Sequence, residues 1–176
     1  MVHRILQLGQ QYEWHIQSYV DDHLLCHHKN WQSDHYEQQT GAVAEFLGDT
    51  IYTLSSEPNK LIAIDTEEGI DRIIDILTPL VGNQVTLVRS QRDFLEITAP
   101  NVSKGRALAQ LALDNNLSLD NIVSFGNAEN DISMLSETGY SVAVSNATEH
   151  VKSVANEVCG HHNEDGVAHW IEKNLL

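Results

Sequence analysis

The sequence predicts an α/β protein in two parts: an α+β layer over residues 1–99 and a parallel α/β segment over residues 100–176. Three observations carry that prediction. Past Pro100, apolar strand-length runs at Ile122–Phe125, Tyr140–Val144 and Glu157–Cys159 alternate with helical patterns, as in a parallel sheet with crossover helices. Before Pro100, the runs Val85–Val88 and Phe94–Thr98 flank the polar stretch Arg89–Asp93, which reads as an antiparallel hairpin. Across all 176 residues the hydrophobic content is 41%, enough for a packed core in one ordinary domain or two small ones.

The elements follow in chain order. Ile5, Leu8 and Tyr12, with Leu6 alongside, give helical spacing within Met1–Tyr19, and a strand is expected around Ser18–Cys26. His28–Gly41 is polar and reads as loop or helix. Ala42–Leu47 reads as a short helix and Ile51–Leu54 as a strand, with Glu57-Pro58-Asn59 as a turn. Leu61–Ile64 is a clearer strand that runs into a helix over Glu67–Leu80. Glu67, Glu68 and Asp71 suit the positive end of that helix. After the hairpin, Ser103 caps a helix whose apolar stripe is Leu108, Leu111 and Ala112. The last helix, Val167–Asn174, carries Val167, Trp170 and Ile171 on one face, with Asp165 placed to cap it.

Bulk properties exclude several classes of partner. A formal net charge of −15, from 25 acidic and 10 basic residues, argues against nucleic acid and anionic membranes, which need a basic surface. No apolar run approaches the roughly 20 residues of a membrane span, and MVHRILQLGQQ lacks the apolar core of a secretion signal. Cys26 and Cys159 give no disulfide framework, so a reducing cytoplasm is the simplest home. The clusters His23, Cys26, His27, His28, His35 and Cys159, His161, His162 invite a metal reading. On a strand, however, His27 and His28 point to opposite faces, and surface histidines are the simpler account of both clusters.

Two segments carry candidate chemistry. Lys104 falls in the first turn of its helix, where a cation opposes the helix dipole, and a lysine placed there points to function. Gly126–Asp131, GNAEND, follows the strand Ile122–Phe125, and a loop after a strand's carboxyl end is where open α/β sheets hold ligands. Asn130 or Asp131 is also placed to cap the helix carrying Ile132, Met134 and Leu135.

In order, the chain reads LEITAPNVSKGRALAQLA, IVSFGNAENDISML, VAVSNATEHVKSVANEV and NEDGVAHWI. Together these resemble the C-terminal portion of Cof-type haloacid dehalogenase-like hydrolases, whose pattern runs vSKG, GDxxNDxxML, NA, edGVa. The resemblance implies a phosphatase fold built from half of a Rossmann-like parallel core sheet, residues 100–176, under an α+β cap, residues 1–99. It implies that Lys104 is the catalytic lysine that meets the phosphate and that Asn130 lies beside the phosphate. Asn127 and Asp131 would stand at a Mg²⁺ site, with Asp131 beside either the metal or the lysine. Asn127 occupies the position of a metal-binding acid in the family, and an amide oxygen brings no charge to a hard cation.

The family's chemistry also resembles covalent catalysis by an aspartate in a DxDGT motif. No DxD occurs in this chain. The nearest candidate is KLIAIDTEEGI, with Asp65 as nucleophile and Gly69 as turn glycine, but its second acid falls at Glu67 and Gly69 comes one residue late. We read it instead as a cap strand entering a helix. Three functions stay open: a hydrolase relative inactive alone, a Mg²⁺-dependent phosphatase completed by a separate N-terminal half, and a non-enzymatic binding or regulatory module. A half sheet with an open edge implies a partner, either a second copy or that N-terminal half, and the substrate would be a phosphorylated small molecule.

Overall fold

Two sheets organise the chain, one of six strands and one of three. The computed structural model describes all 176 residues, and they divide into two units, Met1–Asn101 and Val102–Leu176.

The first unit opens with helix α1 (Val2–Gln11), followed by β1 (His15–Val20) and β2 (His23–Cys26). The single strand expected over Ser18–Cys26 is an antiparallel hairpin. Val20 pairs with His23 across Asp21-Asp22, and both aspartates have positive φ, 48° and 66°. A two-residue turn with both φ positive matches the right-handed twist of the strands it joins. Helix α2 (Trp31–Thr40) is capped by Asn30, whose Oδ1 accepts the Ser33 N–H, and ends where Gly41 turns left-handed.

Beyond Gly41 the structure departs from the expectation twice. Ala42–Leu47 holds not a helix but the edge strand β3 (Ala44–Phe46), paired in parallel with β2. Ile51–Leu54 holds not a strand but part of a 3₁₀ turn, Gly48–Thr53, that presses Ile51 into the core at 0% exposure. In both places a sheet or core partner remote in sequence decides the conformation.

Next come β4 (Lys60–Ile64), α3 (Glu67–Val81), β5 (Thr86–Gln91) and β6 (Phe94–Thr98), giving the sheet order β3-β2-β1-β4-β6-β5. β4 is buried on both faces. Leu61 and Ala63 pack with Ile5, Leu6, Ile73 and Leu77 from α1 and α3, whereas Ile62 and Ile64 pack with Leu24, Tyr36 and Phe94. That double burial explains why KLIAI reads as a continuous apolar run rather than an alternating one. The expected turn Arg89–Asp93 is shorter, because β5 continues to Gln91 with an irregular register between Arg89 and Gln91.

The histidines of this unit do structural work. His15 is buried and accepts the Asn30 Nδ2–H at Nδ1, 3.0 Å away. Its Nε2–H then faces Gln17 Oε1 at 3.4 Å, an oxygen that also receives the Cys26 S–H. His23 pairs with Glu45, and His35 with Asp93. The expectation that His27 and His28 point apart fails, because β2 ends at Cys26 and strand alternation ends with it. Their Nδ1 atoms lie 2.6 Å apart, and His27 Nε2 meets Asp49 at 3.0 Å. No three His, Cys, Asp or Glu side chains in the chain are grouped to hold a metal ion.

The second unit contains α4 (Lys104–Asp114), β7 (Val123–Gly126), α5 (Ile132–Glu137), β8 (Tyr140–Val144), α6 (Glu149–Val154), β9 (Glu157–Cys159) and α7 (Gly166–Asn174). Its strands run parallel in the order β7-β8-β9. Leu135, Ala143, Val144, Ala147 and Val151 form its core. The apolar stripe expected on α4 is incomplete: Ala112 is buried, but Leu111 is 59% exposed. Asp165 does not cap α7 with its side chain; it adopts a left-handed conformation, φ 55°, at the entry to the helix. Trp170 of α7 stacks on Tyr140 and donates its indole N–H to Glu157. No helix is long and apolar enough to cross a membrane.

Two stability predictions follow from the first unit. Leu77→Ala, at a fully buried position, lowers the unfolding free energy by about 2–5 kcal/mol in a denaturant titration. Burial, only partly offset by the Gln17 bond, pushes the His15 pKa down to about 4. As the pH falls below the ordinary histidine value of about 6.5, the unfolded chain takes a proton that the folded chain refuses. Stability linked to His15 is therefore present at neutral pH and lost on the way to pH 4. Between pH 7 and 4.5 the loss comes to about 2 kcal/mol, and a His15→Asn variant lacks it.

Candidate active site

Gly126 ends β7, and the next five residues turn sharply at the carboxyl end of the strand. A β-carbon at Gly126 would stand 2.7 Å from the Asp131 β-carbon. The glycine therefore lets Asp131 fold back against the strand end. There Asp131 is 4% exposed. Its Oδ2 accepts the backbone N–H groups of Asn127 at 2.8 Å and Ala128 at 3.1 Å. Its Oδ1 pairs with the Lys104 ammonium.

This is a different task from the capping role the sequence suggests, since Asp131 makes no side-chain bond to the start of α5. A buried carboxylate needs partners on both oxygens to offset lost hydration, and Asp131 has them.

Lys104 reaches Asp131 because of its neighbours. Ser103 caps α4 by accepting the Arg106 N–H at 3.2 Å, which sets Lys104 as the first helical residue. Gly105 lies so close to α5 that a β-carbon there would meet the Ser133 carbonyl oxygen at 2.4 Å. The Gly105 N–H donates to Ser133 Oγ at 3.1 Å. The Lys104 side chain stays half exposed, so its remaining N–H groups face solvent. A cation against the helix dipole is thus accounted for by its carboxylate partner, with capacity left for an anion.

The other residues named from sequence divide. Asn130 sits between these anchored neighbours, and its side-chain oxygen is buried without a hydrogen-bond partner. Such an acceptor awaits a donor or a cation. Asn127 is exposed, and it meets Asp131 through its backbone N–H rather than its side chain. The residues expected to hold Mg²⁺ offer it little charge by themselves. Asp131 has both oxygens engaged, and the amides of Asn127 and Asn130 bring no charge to a cation that favours carboxylates. Asp65 directly follows β4 in the first unit, where it accepts the Thr66 N–H at 2.7 Å beside the Thr66 cap of α3. That is the ordinary strand-to-helix role.

Glu129 escaped the sequence reading. Its Oε1 accepts the Thr148 hydroxyl at 3.0 Å, and its Oε2 meets His150 Nδ1 at 2.7 Å. The only signal in the sequence was a carboxylate within the Gly126–Asp131 loop. Asn146, in the loop after β8, accepts the His162 N–H at 3.3 Å.

A family model described as haloacid dehalogenase-like hydrolase matches residues 1–171. The phosphatase YwpJ of Bacillus subtilis is 41% identical over 95 residues, 54% of this chain and 33% of that one. A chloroplastic endoribonuclease of Arabidopsis thaliana is 33% identical over 140 residues, which take up only 24% of that longer chain. Among solved structures, a Thermotoga maritima protein superposes with a TM-score of 0.82 at 30% identity, covering 99% of this chain and 66% of that one. A haloacid dehalogenase-like hydrolase from Bacteroides thetaiotaomicron gives a TM-score of 0.85 at 20% identity, over 98% of this chain and 65% of that one, a likeness of fold. The chain spans less than half the length of the curated relatives it matches first, 24%, 43% and 33%.

Removing the central carboxylate tests this geometry. Asp131→Ala strands a lysine and two loop N–H groups, and is expected to cost about 3 kcal/mol in denaturant unfolding. Lys104→Ala leaves Asp131 its two N–H donors and is expected to cost less in the same titration.

Proposed function

We propose that this chain, which belongs to the haloacid dehalogenase-like hydrolase family, binds the phosphate of a phosphorylated small molecule at Lys104 and Asn130 and does not hydrolyse phosphate esters by itself. The observation that supports this most is the engagement of Asp131. It is the one buried acid of the chain, and both of its oxygens are committed to Lys104 and to the loop N–H groups.

Hydrolysis through an aspartyl-phosphate needs a free carboxylate oxygen to form a bond to phosphorus while the P–O bond to the leaving group breaks. A proton must also reach the departing oxygen. Asp131 can do neither while paired. Lys104 can supply the remaining part of the chemistry: its exposed N–H groups neutralise charge on the phosphoryl oxygens, and Asp131 holds the ammonium in place. Asn130 would orient the phosphate through its Nδ2–H groups, since its amide oxygen, like the phosphate oxygens, accepts.

Mg²⁺, which the family resemblance implies, would supply charge neutralisation when bound. Asn127 and Asp131 alone are a poor site for it, so a nucleophile-bearing segment outside residues 1–176 would have to complete the metal site as well. β7 has one neighbour, β8, and its other edge is open. In this reading that edge takes a further strand, from a second copy or from an N-terminal half that carries the DxDGT motif. The two free cysteines, Cys26 and Cys159, fit a reducing cytoplasm.

The experiment is hydrolysis of p-nitrophenyl phosphate with Mg²⁺ by the purified 176-residue chain, beside a Lys104→Ala control. The expected result is no release above the control. Turnover that disappears in Lys104→Ala would overturn the proposal and would mean that the chain holds a nucleophile of its own.

A further inference from the structure

The loops that follow β7, β8 and β9 are tied to one another by side chains the phosphate reading leaves unused. Glu129, in the first loop, accepts the Thr148 hydroxyl at 3.0 Å. Thr148 Oγ1 in turn accepts the Val151 N–H at 3.2 Å, so this one hydroxyl both caps α6 and fastens the β7 loop to it. The second Glu129 oxygen meets His150 Nδ1 at 2.7 Å. From the loop after β8, Asn146 Oδ1 accepts the His162 N–H at 3.3 Å, and the Ser145 N–H reaches the Gly160 carbonyl at 3.4 Å. All three strands are parallel, so all three loops leave the same end of the sheet.

We infer that Glu129 is a positioning residue that sets the Gly126–Asp131 loop for phosphate, an inference that rests on the phosphate-site reading of Lys104 and Asn130. Asp131 anchors the loop on one side, to Lys104 of α4, and Glu129 anchors it on the other, to the start of α6. Asn130 lies between the two anchors with its buried oxygen unpartnered. A six-residue turn held at only one of these points would leave the Asn130 amide free to rotate away. Held at both, its direction is fixed before any ligand arrives, which lowers the ordering cost of binding. The Thr148 bond is the stronger tie, since a hydroxyl donating to a carboxylate is charge-assisted. The His150 pair, with its imidazole 64% exposed, adds little.

The test compares wild type, Glu129→Ala and Glu129→Gln for hydrogen exchange at the Asn127 and Ala128 amides and for binding of inorganic phosphate, with Lys104→Ala as the binding control. In Glu129→Ala, exchange at these two amides speeds up and phosphate binds about tenfold more weakly, as for loss of a supporting hydrogen bond. The thermal midpoint stays near wild type. Glu129→Gln keeps an oxygen for Thr148 and restores both readouts, a rescue that a generic loss of stability would not give. Thr148→Val breaks the same bond from the other side and serves if Glu129→Ala does not fold. Lys104-dependent phosphate binding that is unchanged in Glu129→Ala overturns the inference alone. Absence of Lys104-dependent binding in the wild type overturns the phosphate reading and the inference with it.

Discussion

The second unit depends on one ion pair, a buried carboxylate held by a half-exposed ammonium. Lys104 and Asp131 stand 27 residues apart, on the first turn of α4 and at the entry to α5. Their contact fixes three things at once: the docking of α4 beside α5, the fold of the loop after β7, and the direction of the lysine head. Each supporting residue is small or capping for that reason. Gly105 and Gly126 remove β-carbons that would collide, and Ser103 starts the helix where the lysine must begin. A pair of this kind is a weak source of stability, because burying the carboxylate costs hydration that offsets much of its attraction to the lysine. It makes sense as preorganisation: an ammonium held in position, half exposed, with an unpaired amide oxygen close by in sequence. The family to which the chain belongs gives that arrangement its chemical context.

The first unit rests on a different constraint, the double burial of β4. Its two faces carry the two cores of the six-stranded sheet, one under α1 and α3 and the other against α2. Polar residues complete the second face. His15, Gln17 and Cys26 share one hydrogen-bonded chain that Asn30 joins to the cap of α2. Burial raises the Cys26 thiol to about 12, which keeps it protonated as the donor this chain needs. The same burial keeps His15 neutral, and with it the tautomer that lets Nδ1 accept from Asn30.

What could be read from the sequence follows from these two constraints. β4, α3, β6 and β8 stand out because their apolar runs face a core, whereas β7 and β9 are only partly buried. Lys104 drew notice by opposing its helix dipole, and the structure supplies the carboxylate that explains it. β1 was hidden because Gln17 and Ser18 are polar yet fully buried, so the strand lacks an apolar signature. β3 and the turn around Ile51 were misread because a partner far along the chain sets them, and no local pattern reports such a partner. Glu129 was missed for the same reason: its partners Thr148 and His150 are 19 and 21 residues away. Asp131 was legible through the family resemblance, which sets it beside the metal or the lysine, and the structure pairs it with Lys104; the alternative role as a cap of the following helix is not taken up.

The account stands or falls on whether Lys104 meets phosphate. The most direct measurement is an NMR titration of the chain labelled at its lysine ammonium groups, with inorganic phosphate added stepwise. Of the lysines at 29, 60, 104, 152 and 173, the account predicts a saturable shift at Lys104 alone, lost in Asp131→Asn as the ammonium loses its hold. Small, unsaturated shifts spread evenly over all five would contradict it.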